Sequence, residues 1–493
     1  MRSRRRRTGL RRRRIARHVA LLGEFGIYWQ ADPFDATDDT TKAATAYRGQ
    51  VTDAGRDVLA QNDETLQRIN AKGAVDPVQS KRALIDADLD WKQTYADALG
   101  PVLSSYFNEG IADGSLPKAA ALYADVQYTV ASTGAAKTTF NYPRPFLEDR
   151  SFGAPERLNG LAPNLGITEV EPWTDPATGI THDGTYDAIL GTRNQAFPSG
   201  HTAYAYGTGV VLATLLPELG PEIVTRASEA GLARNVLGVH YPLDVVGGRI
   251  AGHVNVATLY ADAAYVSSTI LPVRAELPGY LVEQCAADGY GATLDECITA
   301  VGANDGGGYQ NAFTDVVSTA PVTDRASALT AYEARMTYGF EPVGATDAAA
   351  VVPAGAEELL VTAFPTLTGE QRRAVLAATE IDSGSPLDSS SEGWQRVNLA
   401  AALSAKVTLD ASGAVVSVEP GQPAASVVTS ASVAPTPTDA PTPTETGAPQ
   451  AARTGTLART GGEFDLVPPT AALLLIGSGI VSLIAARRKQ AAE

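Results

Sequence analysis

Apolar residues recur at three- and four-residue spacing through most of the first 140 positions, the repeat of an amphipathic helix. Tyr47, Val51, Val58, Leu59, Leu66 and Ile69 carry it through Asp35–Gly73 as one or two helices. Val78, Leu84, Ile85, Leu89, Trp91, Tyr95 and Leu99 continue it over Pro77–Leu99, where Gly100-Pro101 stops it. Val102–Ile111 predicts a short helix. Leu116–Ser132 predicts a strongly apolar one that opens at Pro117, a favourable first-turn residue. No period-two alternation appears here, so the pattern predicts a helical bundle. Phe146–Gln195 breaks it with Pro, Gly, Asp and Asn. A connection of that length reads as a functional loop covering a site, with His182 as a candidate substrate contact. Helical spacing returns in Thr202–Leu216, closed by Pro217, and in Ser228–Leu237, ended by Gly238. A glycine-rich helix follows from Pro242 through Val245–His253, packed close to a neighbour, with His253 in a structural role.

The C-terminal half predicts helices over Ala326–Tyr338, Gly355–Phe364, Thr368–Thr379 and Glu392–Ala405. Thr368 with Gln371 forms the capping box of the third. Lys406–Leu409 and Ala414–Val418, joined by Asp-Ala-Ser-Gly, predict a β-hairpin. Gln422–Gln450 is rich in Pro, Thr, Ser and Ala, cannot bury a core, and predicts a disordered stalk. Val467–Ala486 is apolar for long enough to span a bilayer and is followed by Arg487-Arg488-Lys489. The expected organisation is a basic segment over 1–34, a helical domain bearing the candidate chemistry over 35–270, a helical extension over 271–421, a stalk over 422–456 and a C-terminal signal over 457–493.

Composition changes this picture in two places. The net charge of −16 over 493 residues excludes nucleic acid as the main partner, despite the basic run Arg2–Arg17. That run resembles an exaggerated export signal, but its apolar piece, Val19–Leu22, is short and meets Glu24 at once. A misassigned start codon, a non-standard export signal and a nucleic-acid-binding arm are the readings of it. Cys285 and Cys297 are the two cysteines. In an exported chain they predict a disulfide, because no nearby histidine or further cysteine completes a zinc set.

In so acidic a body, the cations in three short runs stand out. Lys137 and Arg144 lie seven residues apart, and Pro143 and Pro145 keep Arg144 out of a helix, so one point charge and one planar fork can meet at one spot. Pro198-Ser199-Gly200-His201 opens a helix. Ser199 is a good N-cap, Gly200 lets a ligand approach the backbone, and the free amides make an anion site. Arg234 lies one turn before Gly238. Asp244 follows His240 by four residues, a spacing at which a carboxylate orients an imidazole. Two histidines, three cations and free amides suit a tetrahedral oxyanion that one histidine attacks while the other protonates the leaving group.

Lys137-x6-Arg144-Pro145, Pro198-Ser199-Gly200-His201 and Arg234-x5-His240-x3-Asp244 together resemble the three-part signature of the type-2 phosphatidic acid phosphatase superfamily, which includes bacterial class A acid phosphatases and vanadium haloperoxidases. The likeness covers roughly Leu116–Gly252. One departure is Ala233, where the family usually has serine before the arginine. The resemblance implies an all-α fold and phosphoryl transfer that needs neither metal nor other cofactor. It implies His240 as nucleophile, Asp244 as the residue fixing its tautomer, and His201 as the acid. Lys137, Arg144, Ser199, Gly200 and Arg234 would bind the phosphate. The expected substrate is a small phosphomonoester. Two alternatives stand beside this: a haloperoxidase holding vanadate in the same cradle, and a non-catalytic surface protein that kept the fold.

Leu457-Ala-Arg-Thr-Gly461, the apolar span and the basic tail together resemble a sortase sorting signal in a variant Leu-Ala-x-Thr-Gly form. This implies sortase cleavage between Thr460 and Gly461 and attachment to peptidoglycan, outside a Gram-positive cell. The plainer reading is a C-terminal membrane anchor, and both place the helical domain extracellularly.

Overall fold

A computed structural model describes residues 17–32, 49–146 and 169–430, apart from 95, 176–178, 187–188, 190–194, 302–307, 312 and 390–391. These all belong to one compact unit, Met1–Ser432. The sorting signal, with Thr460 and Gly461, the apolar span and most of the stalk lie outside the described residues. Among the described residues no helix is long and apolar enough to cross a membrane.

The chain is all-α in the sense expected: a helical bundle with three small sheets at its margins. Helices α1 (Arg56–Ala74), α2 (Pro77–Ala87), α3 (Gly100–Ala112), α4 (Pro117–Val130) and α5 (Gly134–Phe140) come first. The continuous helix expected over Pro77–Leu99 is broken. Leu89 takes a left-handed conformation (φ 55°), and only short turns follow at Trp91–Thr94 and Ala96–Leu99. Three helices then form the centre: α6 (Gly200–Leu215), α7 (Gly220–Val236) and α8 (Pro242–Tyr260).

Helix α6 is buried from Thr202 to Leu215, which its small and apolar residues permit. It crosses α8 at glycines. A Cβ on Gly248 would lie 2.6 Å from the Ser199 carbonyl oxygen, and one on Gly252 would lie 2.9 Å from that of Ala203. This contact, predicted from the glycine-rich sequence, brings the start of α6 onto the start of α8, and the Ser199 amide donates to the Asp244 carbonyl at 2.8 Å.

Residues 17–32, expected to belong to an export segment, are instead part of the core. Phe25 stacks on Phe197 at 3.8 Å and meets Phe140 and Tyr142 edge-on. The indole N–H of Trp29 donates to the Phe140 carbonyl at 2.9 Å, and Tyr142 contacts Tyr241. One aromatic cluster therefore joins all three chemistry-bearing runs. Glu24 is buried and accepts from the Leu387 and Ser389 amides at 2.8 and 2.7 Å. The leader-like composition concealed an apolar face: Leu21, Leu22, Phe25, Tyr28 and Trp29 are all buried.

The extension packs on this bundle. Its helices are α9 (Leu271–Ala287), α10 (Leu294–Val301), α11 (Arg325–Thr337), α12 (Gly369–Thr379) and α13 (Leu399–Leu403). Arg325 reaches Glu222 of α7 through Nε and Nη2, both at 2.7 Å, and Arg249 of α8 donates to the Gln395 carbonyl at 2.8 Å. Cys285 and Cys297 are joined as a disulfide that links α9 to α10. The capping box of Thr368 and Gln371 is present. The helix expected over Glu392–Ala405 is a short turn at Trp394–Arg396 followed by α13, because Asn398 caps a new start by accepting from the Ala401 amide.

The expected hairpin is present as β5 (Lys406–Leu409) and β6 (Val415–Glu419), after two small pairs, β1–β2 (Trp29–Ala31, Gly49–Val51) and β3–β4 (Trp173–Thr174, Thr181–His182). A further strand, β7 (Ser426–Thr429), pairs parallel to β5. The stalk therefore does not begin at Gln422. Four residues of β-forming sequence follow that point, and the average composition of the segment hid them.

The close approach at Gly248 yields a direct expectation. Alanine is the better helix former by about 1 kcal/mol, but here its methyl would meet a backbone oxygen that cannot swing away. Overpacking of this kind costs about 1–3 kcal/mol. Gly248→Ala is expected to lower stability in denaturant unfolding, with the clash outweighing the propensity gain.

Candidate active site

The residues singled out from the sequence converge, with their backbones supplied by four elements. Lys137 lies after α4, within the short helix α5, and Asn141 ends that helix in a left-handed conformation (φ 44°). Lys137 Nζ donates to the Gln195 and Ala196 carbonyls at 2.6 and 3.0 Å, which ties the end of the long loop to α5. Lys137 and Arg144 are both buried rather than solvated. Ser199 caps α6 as expected: its hydroxyl oxygen accepts from the Thr202 amide at 3.2 Å and the Thr202 hydroxyl at 2.9 Å. A Cβ on Gly200 would stand 3.3 Å from Thr133 Oγ1 and 4.0 Å from the Lys137 side chain, so the helix start lies beside that lysine.

The chemistry of its partners fixes the tautomer of His240. Arg144 has only donors, and its Nη1 lies 2.7 Å from His240 Nε2, so Nε2 carries the lone pair. The proton is on Nδ1, 3.1 Å from Asp244 Oδ2. The same carboxylate oxygen accepts the Tyr241 amide at 2.8 Å, and the Asn235 side chain holds the His240 carbonyl at 2.8 Å. Arg144 also donates to the Val239 carbonyl at 2.7 Å. The result is an imidazole whose Nε2 is unprotonated and accepts from Arg144, the protonation state a nucleophile requires.

Arg234 is fully buried, and its three guanidinium nitrogens have no hydrogen-bond partner among the described residues. The ring of Tyr186 lies 4.9 Å away in a cation–π contact. Leaving a buried guanidinium unpaired costs several kcal/mol, and an oxyanion is the natural complement to its fork. His201 is partly buried, with Nε2 3.3 Å from the Ala87 carbonyl and 3.2 Å from the Tyr186 hydroxyl.

The electrostatics follow from burial and the clustered cations. His240 is held well below the ordinary histidine value by burial and then by the Arg144, Lys137 and Arg234 charges. His201 is lowered in the same sense by burial, Arg234, Arg144 and Lys137, against a raising pull from the Ala87 carbonyl. Lys137 is pushed down by burial and by Arg144. Burial raises the Asp244 carboxyl to about 7, opposed by the Tyr241 amide, Lys137 and Arg144. Among the described residues no group of three or more His, Cys, Asp or Glu side chains is placed to hold a metal ion.

Other assignments differ from expectation. His182 is buried, stacked on Trp173 at 4.6 Å, with Nδ1 3.3 Å from Asp88, so it docks the β3–β4 hairpin rather than meeting a substrate. His253 is structural as expected, buried in α8 against the Tyr206 ring. Most of the loop expected to cover the site lies outside the described residues, but its segment ending at Tyr186 does reach the site.

Two features were not read from the sequence. Tyr186 was marked only by being an aromatic residue in a polar run. The other is a buried ion network behind the site: Arg226 holds Asp86 through two bonds at 2.7 and 3.1 Å and Asp97 at 2.6 Å, while Arg82 bridges Glu229 and Asp97. It fixes the end of α2, whose Ala87 carbonyl faces His201. Its members are far apart in sequence, so no local pattern announces it.

Comparison with known proteins falls on the same region. Residues 119–267 match the model of the PAP2 superfamily. A non-specific acid phosphatase of Salmonella typhimurium is 39% identical over 85 residues, which are 17% of this chain and 34% of that one. One from Providencia stuartii is 33% identical over 87 residues, 18% and 35% of the respective chains. An acid phosphatase of Zymomonas mobilis is 34% identical over 73 residues, 15% and 28%. The chain thus spans about a third of the length of the curated relatives it matches. With the three runs gathered on one helical scaffold, residues 119–267 are similar to the PAP2 superfamily in sequence and in helical architecture.

Proposed function

We propose that this protein is a phosphoric monoester hydrolase, an acid phosphatase that works without metal through a phosphohistidine intermediate. The observation that carries the reading is the pairing at His240: Asp244 accepts the hydrogen bond from Nδ1–H, and a cation marks Nε2 as the unprotonated nitrogen. A bound phosphate would draw Arg144 to itself, release Nε2 and give the unpartnered Arg234 fork its complement. His240 Nε2 then attacks phosphorus as the P–O bond to the alcohol breaks, and the departing oxygen takes a proton from His201. Water, deprotonated by His201, hydrolyses the N–P bond and restores the start.

The protonation states support an acid reaction. Without a ligand, both histidines are held neutral. A phosphate's negative charge reverses the field that the three cations impose on His201, and a substrate monoanion can itself bring the proton. Fixed cations and helix-start amides would meet the charge on the transferring phosphoryl group.

We also propose that the protein is held at the outer surface of the cell, with sortase and peptidoglycan as its partners through Thr460 and Gly461. The support is the order of stalk, Leu-Ala-Arg-Thr-Gly run, apolar span and basic tail. Mass spectrometry of cell-wall digests is expected to show a peptide ending at Thr460; a mature chain continuing past Gly461 contradicts sortase processing.

His240→Ala is expected to lose phosphatase activity by roughly 10⁴-fold or more while retaining weak vanadate binding in a competition assay. An active variant counts against the assignment. His201→Ala is expected to slow alkyl phosphates by roughly 10²–10⁴-fold and p-nitrophenyl phosphate much less, because p-nitrophenolate departs without a proton. Equal losses on both substrates would argue against His201 as the acid.

A further inference from the structure

The described part of the long loop is anchored on the end of α2. Trp173 stacks on His182 and lies under the Lys81 ammonium at 5.1 Å, and His182 is paired with Asp88. Four residues beyond His182, the chain delivers Tyr186. This residue makes two contacts with groups assigned above to the reaction: its hydroxyl is 3.2 Å from His201 Nε2, and its ring lies over the Arg234 guanidinium.

The geometry at His201 has a definite reading. The Ala87 carbonyl can only accept, and it lies 3.3 Å from Nε2, so Nε2 carries the proton in the neutral ring. The Tyr186 oxygen, at a similar distance from the same nitrogen, accepts a share of that proton. Nδ1 is then the bare nitrogen, the one that takes up the second proton and delivers it. Two acceptors on Nε2–H favour the imidazolium. They act against burial and against Arg234, Arg144 and Lys137, with neutral His240 as the other titratable neighbour.

Resting on the phosphatase reading, we propose that Tyr186 is a positioning residue. Its hydroxyl supports the protonated state of His201 at Nε2, and its ring fixes the Arg234 fork. The segment ending at Tyr186 thereby contributes to the acid step. The carbonyl of Ala87, held by the Asp86–Arg226 pair next to it, supplies the other half of this support.

Tyr186→Phe separates the two contacts, because it removes the hydroxyl and keeps the ring over Arg234. General-acid catalysis needs His201 protonated, so the alkaline limb of the kcat/KM profile reports its proton affinity. Loss of an acceptor lowers that affinity, and the alkaline limb is expected to move to lower pH. Near neutral pH an alkyl phosphate should be hydrolysed roughly tenfold more slowly, a fraction of the roughly 10²–10⁴-fold that the acid itself supplies, with KM unchanged and p-nitrophenyl phosphate much less affected. In a His201→Ala background the same substitution should have no further effect on either substrate. An unshifted limb in Tyr186→Phe, equal slowing of the two substrates, or an additive loss on top of His201→Ala would each overturn the proposal while leaving wild-type phosphatase activity in place. Wild-type protein inactive on both substrates would instead remove the underlying phosphatase reading.

Discussion

Like charges held together inside a protein are the constraint to which this structure answers. Lys137, Arg144 and Arg234 are buried around two histidines, and the Asp244 carboxylate is already engaged with His240 and the Tyr241 amide. Such an arrangement opposes folding. Each guanidinium loses its hydration, and the three charges repel at distances where a low dielectric screens poorly. The surrounding structure must therefore contribute enough to hold them, and carbonyl groups do part of that work: Gln195 and Ala196 for Lys137, Val239 for Arg144. Arg234 has no such help among the described residues. The site is a preorganised deficit of negative charge, the complement of a tetrahedral oxyanion.

That preorganisation rests on three kinds of packing. Glycines in α8 let two helices meet at backbone distance, which sets Ser199 against Asp244. Aromatic rings from the N-terminal segment join Phe140, Tyr142 and Phe197, so the three runs that carry chemistry share one hydrophobic clamp. Paired charges between α2 and α7 rigidify the turn that faces His201. None of these contacts reaches the reacting atoms, yet each fixes the position of something that does.

Much of the centre was legible in the sequence because its signals are local. Four-residue spacing placed Asp244 beside His240, and the Pro-Ser-Gly-His turn announced a capped helix start. Helical periodicity gave the bundle, and the Thr368–Gln371 box and the hairpin were read from adjacent residues. What escaped is non-local or averaged away. Arg82, Asp97, Arg226 and Glu229 make sense only once folded, when their charges cancel. Strand β7 was lost in the composition of a Pro/Thr-rich stretch, and the break at Leu89 depends on a single left-handed residue that carries no glycine or asparagine to mark it.

The place of Phe25 in the aromatic clamp bears on how this chain can be matured. Arg17 already touches Thr258 of α8, and Leu21, Leu22, Phe25 and Trp29 are buried. Trimming of the amino end past Arg17 would remove these contacts one after another. A cut after Trp29 would withdraw the stacking partner of Phe197 and loosen the turn that presents His201, so the limit of tolerable proteolysis is set by the geometry of the anion cradle more than a hundred and fifty residues downstream.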